Sequence, residues 1–331
     1  MKWIKRIVLV GLLAVMLAIA GGVWYSRQPL HIESLTYMLS IAPGTTLRGL
    51  AVKLEKEGLV GNARAFWLLG RLLGKGAGLK AGVYSLDRAL TPLELFDKIE
   101  RGEVTQAAVQ FIEGWNFRDL QNALAAQPLL RQDSRDLSPR ELLQAIGAEE
   151  PHPEGIFFPD TYFFAPHVSD LEVLRRAYRL QREKLMAAWD SRAPGLPYET
   201  PYEALIMASI VEKETGAAFE RPLIAAVFVN RMRIGMRLQT DPTVIYGIGE
   251  RFDGNLRRVD LQRDTPYNTY TRAGLPPTPI AMPSEAAIRA ALNPEPTDVL
   301  YFVSRGDGTH VFSRNLNDHN RAVNRYQRGQ R

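Results

Sequence analysis

The stretch that decides the fold of the larger part of this chain is Ala208-Ser209-Ile210-Val211-Glu212-Lys213-Glu214-Thr215-Gly216, because it ends a predicted core helix. Thr200-Pro201-Tyr202-Glu203 opens this helix as a capping box with proline at the first helical position. Gly216 is a natural C-terminal cap. Between these two signals the residues are apolar on nearly every side, which is typical of a helix buried in a protein core.

Two carboxylates, Glu212 and Glu214, stand in the last turn of this apolar helix. At about 100° per residue, Glu212 falls on the line of Leu205, so its carboxyl group is expected to be partly desolvated. Burial raises the pKa of a carboxylic acid and suits it to general-acid catalysis. Glu214 projects about 200° away and is predicted to be solvated or ion-paired. The alternative is that both glutamates are solvated at a fraying helix end.

Four further motifs follow in the sequence. They are a second apolar helix closed by basic residues (Arg221 to Arg231), the segment Ile234 to Gly247, Tyr267-Asn268-Thr269-Tyr270, and the proline-rich segment Gly274 to Ile280. With these motifs in this order, the chain resembles the endolytic murein transglycosylases, the YceG-like or MltG family. The resemblance runs from the N-terminal apolar segment to the C-terminus and is densest from Glu203 to Pro294.

The resemblance implies an enzyme that cleaves the MurNAc-β-1,4-GlcNAc bond within nascent peptidoglycan strands and so sets their length. In such an enzyme the C6 hydroxyl of muramic acid attacks C1 and leaves a 1,6-anhydro end, so one carboxyl group can act first as acid and then as base. By resemblance Glu212 carries both roles. If Asp241 acted as a second catalytic carboxylate, the chain would instead be a hydrolytic muramidase.

Side chains that could hold sugar hydroxyl and N-acetyl groups lie in the same motifs. The predicted substrate-binding residues are Asn230, Gln239, Asn268 and Tyr270. Any of these could instead fix loop backbone. A non-catalytic glycan-binding scaffold is the alternative from another class, although pure binding gives no reason to embed an acid in an apolar helix.

The N-terminal segment predicts attachment to a membrane. Residues 7–25 form an uncharged run long enough to span a bilayer, and Lys2, Lys5 and Arg6 precede it. The expected topology is a single-pass inner-membrane protein with residues 1–6 in the cytoplasm and the catalytic domain in the periplasm. A cleaved signal peptide is the alternative, although Trp24-Tyr25 is a better interfacial anchor than cleavage site.

The predicted fold class is α+β, with the single transmembrane helix followed by two domains. Short predicted strands, including Gly82 to Leu86 and Ala107 to Ile112, flank short helices in residues 30–112. This part resembles the small LysM-like subdomain of the family, for which glycan binding and a purely structural role are both open. Residues 113–331 are predicted to form the larger, mixed α/β YceG-like catalytic domain, closed by a hairpin near Val299 to Ser313.

Composition excludes several other chemistries. The chain has no cysteine, and its five histidines show no metal-ligand spacing, so no metal site is expected. No phosphate-binding glycine motif is present, so no cofactor is expected. The net charge of +5 is compatible with an anionic wall polymer or lipid surface, and no nucleic acid partner is expected. The expected partners are peptidoglycan glycan strands, the inner membrane and, by resemblance, peptidoglycan synthases.

Overall fold

The computed structural model describes residues 2–32, 37–42, 44–76, 78–86, 90–105, 107–214 and 216–328. The helices and short strands of these residues make an α+β protein, as the sequence predicts. The chain divides into two compact units, Met1–Ala107 with Phe163–His167, and Ala108–Tyr162 with Val168–Arg331. The return of residues 163–167 to the first unit had no counterpart in the sequence patterns.

The first unit is built from helices packed with one antiparallel strand pair. Its elements are α1 (Lys2–Ser26), β1 (Tyr37–Ile41), α2 (Leu47–Lys56), α3 (Ala63–Leu72), β2 (Gly82–Leu86) and α4 (Pro92–Arg101). Strands β1 and β2 pair with Leu39 opposite Tyr84. The core is apolar and includes the stacked rings of Phe66 and Phe96. Helix α4 has a capping box at Thr91, and Gly102 ends it in a left-handed conformation.

Helix α1 covers the segment that the sequence predicts as a membrane span. The side chains of residues 7, 8, 14, 15, 18 and 19 in this segment lie outside the described part of the structure, as does Met1. Within the described part, no helix is both long enough and apolar enough to cross a membrane.

The second unit carries the motifs of the predicted catalytic domain. From the first strand of this region onwards the elements are β3 (Ala107–Gln110), α5 (Phe117–Ala125), α6 (Pro139–Ile146), β4 (Thr161–Phe164), α7 (Asp170–Asp190), α8 (Pro201–Glu214), α9 (Arg221–Arg233), α10 (Asp241–Ile248), α11 (Arg258–Gln262), α12 (Glu285–Leu292), β5 (Tyr301–Ser304), β6 (His310–Ser313) and α13 (Leu316–Val323). Short 3₁₀ turns precede α9 at Ala218–Glu220 and follow α10 at Gly249–Arg251.

Helix α8 is the centre of this unit, and it packs against α7, α9, α10 and α12. All eight residues from Ala204 to Val211 are buried, which confirms the prediction of a core helix. Thr200 caps its N-terminus by accepting the Glu203 N–H, while the Glu203 carboxylate accepts the Glu199 N–H instead of the Thr200 N–H. The second apolar helix is confirmed as α9, and the predicted hairpin is confirmed as β5 and β6.

The aromatic block, residues 154–162, begins in the core of the second unit. Phe157 is fully buried, and Tyr162 packs against Phe111. Gly155 adopts a φ of 75°, and a Cβ atom there would lie 2.4 Å from Cβ of Pro279. Glycine is therefore required at this position, where the block meets the proline-rich loop.

Candidate active site

Glu212 lies in the last turn of α8, and donors surround its carboxylate. Oε2 accepts the Ser284 N–H at 2.9 Å and the Ser284 hydroxyl at 2.5 Å, while Oε1 accepts an N–H of Arg221 at 3.4 Å. Its side chain is 7% exposed. Ser284 is the N-cap of α12, and Arg221 begins α9. Glu212 thus joins the end of α8 to the beginnings of two other core helices.

Glu214, the last residue of α8, has a different environment. Its carboxylate accepts a hydrogen bond from the Thr240 hydroxyl. Burial raises its pKa to about 7, and the charge of Asp241 acts in the same direction, against the hydrogen bond from Thr240 and the charges of His310 and Arg231. The residue keeps a small exposed surface. The prediction that Glu214 is solvated or ion-paired is therefore wrong, because its carboxyl group is buried and accepts a hydrogen bond from Thr240.

A cluster of buried threonines fixes the segment that covers Glu214. The Thr240 N–H donates to Thr269 Oγ1 at 3.1 Å, and Thr243 Oγ1 donates to the Thr240 carbonyl at 2.8 Å. Each of these three threonines is at most 3% exposed. Because the Thr240 backbone is held on both sides, its hydroxyl is fixed towards Glu214 and needs no reorganisation to donate.

Gln239, immediately before this segment, has a left-handed backbone with a φ of 52°. Its N–H donates to the Thr269 carbonyl at 3.2 Å, which holds the strained conformation, and its side chain is exposed. Non-glycine residues with such backbone strain cluster at functional sites. Gln239 directly precedes Thr240, whose hydroxyl donates to the Glu214 carboxylate.

Tyr270 and Asp241 form a second polar pair near Glu214. The Tyr270 hydroxyl donates to Asp241 Oδ1 at 2.5 Å. Burial raises the pKa of Tyr270, and the bond to Asp241 raises it further. Asp241 itself is exposed in the first turn of α10. The charge of Asp241 acts on Glu214, and the charge of Glu214 acts on Tyr270, so these three groups lie close together.

The side chains of the two predicted asparagine ligands have structural partners. The Asn268 side chain is fully buried, and its amide N–H groups donate to the carbonyls of Asp260, Leu261 and Arg263. The Asn230 amide donates to the carbonyls of Thr297 and Val299. Since their donors are used by backbone, neither asparagine fits the predicted role in sugar binding. Both fix loops, which is the alternative that the sequence left open.

A cleft of about 820 Å³ next to this site had no counterpart in the sequence patterns. Glu154 lies in its lining and is 2% exposed. Both Glu154 oxygens accept the Phe117 N–H, at 3.0 and 3.1 Å, and Oε2 also accepts the Tyr246 hydroxyl at 2.9 Å. Burial raises the pKa of Glu154 to about 7 against the effect of these bonds. An acidic residue before a glycine and an aromatic block gives no periodic signal, so sequence patterns could not indicate its burial.

No cluster of metal-ligating side chains was found in the part of the chain that the structure describes. The ionisable and hydrogen-bonding groups near the end of α8 are Glu214, Thr240, Tyr270 and Asp241.

Comparisons with known proteins place the chain in a family. The model of the YceG-like family matches residues 39–325. The endolytic murein transglycosylase of Bacillus subtilis (strain 168) is 31% identical to this chain, and the match covers 94% of this chain and 91% of that protein. The endolytic murein transglycosylase of Streptococcus pneumoniae serotype 2 is 28% identical over 97% of this chain and 65% of its own length.

A solved structure supports the same assignment. The crystal structure of a yceG-like protein from Listeria monocytogenes is 29% identical, with a TM-score of 0.54, over 86% of this chain and 98% of that one. Together with the family match over most of its length, this likeness means that the chain belongs to the YceG-like family.

Proposed function

We propose that this protein is an endolytic murein transglycosylase that cleaves MurNAc-β-1,4-GlcNAc bonds within peptidoglycan strands and leaves 1,6-anhydro-MurNAc ends. The relatives named for this activity, one of them 31% identical over 94% of the chain, support the reaction. The observation that carries the mechanism is the buried carboxyl group of Glu214, whose pKa is raised to about 7.

The chemistry needs one group that gives a proton and later takes one back. In the first half of the reaction the acid protonates the glycosidic oxygen, and the bond from C1 to that oxygen breaks through an oxocarbenium-like transition state. In the second half the resulting carboxylate takes the proton of the C6 hydroxyl as that oxygen bonds to C1. A group with a pKa near the working pH is suited to both halves, and no water is consumed.

Glu214 is the better candidate for this group, whereas the sequence alone predicted Glu212. Both carboxylate oxygens of Glu212 accept hydrogen bonds, from Ser284 and Arg221, so this residue connects α8 to two other helices. Glu214 has a raised pKa and a fixed donor, the Thr240 hydroxyl, which stabilises the carboxylate after proton transfer. The assignment of Glu212 stays a prediction that paired variants can test.

The remaining residues of the site bind and stabilise the sugar in this proposal. The exposed amide of Gln239 and the Tyr270 hydroxyl hydrogen-bond to the substrate. The Asp241 carboxylate, oriented by Tyr270, stabilises positive charge at C1. The same carboxylate could instead activate a water molecule, which would make the protein a hydrolytic muramidase.

Mass spectrometry of the products distinguishes these functions. Purified full-length protein, incubated with isolated peptidoglycan at neutral pH, is expected to release fragments with 1,6-anhydro-MurNAc ends. Reducing MurNAc ends would favour the muramidase with Asp241. An unchanged polymer would favour a glycan-binding scaffold and overturn the proposal.

The proposed function also includes a cellular location for the protein and a role for its first unit. The apolar run of residues 7–25 after three basic residues supports a single-pass anchor in the inner membrane, with the second unit in the periplasm beside peptidoglycan synthases. The first unit, as a LysM-like subdomain, would contact the glycan. If the protein left the membrane fraction in high salt, or began near Ser26 when isolated from cells, the anchor would be rejected.

A further inference from the structure

We infer that the cleft around Glu154 is a saccharide-binding subsite that holds the glycan strand on one side of the bond that is cut. This inference rests on the proposed function and adds to it a place where the strand continues beyond the reacting sugar.

The position of the cleft connects it to the reacting group through two elements. Lys213, which precedes Glu214 on α8, lines the cleft, and so does Pro242, which follows Asp241 on α10. On both α8 and α10, the residue next to a carboxylate of the site therefore lines the cleft. A strand with one sugar at Glu214 and Asp241 would have its next sugars at the mouth of this cleft.

Fixed contacts connect the two walls of the cleft and set their separation. One wall begins at the N-terminus of α5, and the other is α10 with the turn that follows it. At the buried end, Glu154 accepts hydrogen bonds from Phe117 of one wall and Tyr246 of the other. At the exposed edge, Arg118 and Glu250 form an ion pair at 2.5 Å. The cleft is therefore formed before a ligand arrives, which lowers the entropic cost of binding.

The lining of the cleft suits a saccharide. Aromatic rings of Phe117, Tyr246, Phe252 and Tyr267 alternate with amide and charged groups, and rings of this kind pack on the apolar faces of sugars. The volume of about 820 Å³ lies within the ~300–1,000 Å³ of typical ligand pockets. The lining carries charges of both signs, with Arg118 and Lys213 beside Asp119 and Glu250, whereas a polyanion such as nucleic acid is bound by an excess of basic side chains.

A bulky side chain at the mouth of the cleft tests this inference without touching the reacting groups. Gln121 is exposed on α5 and lines the cleft, so Gln121→Trp would fill it. Asn122, its exposed neighbour on α5, is absent from the lining, and Asn122→Trp is the matched control. Two quantities are measured with the full-length protein: kcat and KM on glycan strands of defined length, and the Kd for a short uncleaved glycan fragment.

We expect Gln121→Trp to raise KM for long strands and the Kd of the fragment at least ~10-fold, the equivalent of losing one modest contact. Its kcat at saturation and its anhydro products should be unchanged, and Asn122→Trp should behave as the unmodified protein. Equal KM and Kd values for the two variants would overturn the inference. If fragment binding depended on Gln121 while no form of the protein made anhydro ends, the proposed function would fail and the subsite would stand.

Discussion

Replacing Glu154 by glutamine should change how the stability of the protein depends on pH. Glu154 is 2% exposed, and burial raises its pKa from 4.5 to about 7. Between these two values the folded state binds more protons than the unfolded state, so the contribution of Glu154 to stability is largest below pH 4.5 and is lost as the pH rises to about 7. Because one pKa unit is worth about 1.4 kcal/mol, the loss amounts to roughly 3 kcal/mol.

Glu154→Gln removes this titration and keeps an acceptor for the Phe117 N–H. The free energy of unfolding is measured with urea from pH 4.5 to 8 for both proteins. The value for the variant minus the value for the unmodified protein should therefore increase progressively as the pH rises. Contributions from neighbouring groups such as His152 and Glu214 are present in both forms and cancel in the difference. Glu250→Gln, an exposed glutamate of the same cleft, is the control and should show little pH-dependent difference. A difference for Glu154→Gln that does not change with pH would refute this reasoning.

Three further predictions concern individual residues and metal ions. Asn268→Ala should lower the free energy of unfolding by about 1–3 kcal/mol, because three backbone carbonyls lose their donor and the Tyr270 N–H loses its acceptor. KM should rise only together with this loss of stability, and a raised KM at unchanged stability would restore the predicted role of Asn268 in sugar binding. Gln239→Gly should stabilise the protein by about 1 kcal/mol in thermal unfolding, because glycine adopts the left-handed backbone conformation without strain. The same substitution should raise KM, and an unchanged KM would mean that Gln239 does not bind the substrate. Activity should survive treatment with a chelator, and rescue of a chelator-inhibited enzyme by a divalent ion would contradict the acid–base mechanism.

The elements that position the site could be predicted from the sequence because their signals are local. The N-cap Thr200, the proline after it and an unbroken apolar run specify α8, and proline after Arg221 with a second apolar run specifies α9. The terminal hairpin follows from two β-branched and aromatic runs around a glycine turn. In each case the residues that decide the structure lie within one element.

The environment of each carboxylate could not be predicted, because it depends on residues far along the chain. The helical pattern correctly set Glu212 among buried neighbours, but its donor Ser284 comes 72 residues later. Glu214 lies off the apolar line of α8, and its donor Thr240 comes 26 residues later. The burial of Glu154 likewise depends on Tyr246, which is 92 residues away. Periodicity indicates which face of a helix is apolar and contains no information about which loop covers its end.

The most direct test of the account compares Glu214→Gln with Glu212→Gln in the formation of 1,6-anhydro-MurNAc ends. The two substitutions are isosteric and lie in the same turn of α8, so circular dichroism and thermal unfolding can first establish that each variant is folded. Per folded molecule, Glu214→Gln should lose activity by about 100- to 10,000-fold, the usual contribution of general acid–base catalysis. Glu212→Gln should lose stability, because it weakens the contacts to Ser284 and Arg221, and should retain most of its activity per folded molecule. An active Glu214→Gln beside a folded, inactive Glu212→Gln would contradict the account and assign the chemistry to Glu212.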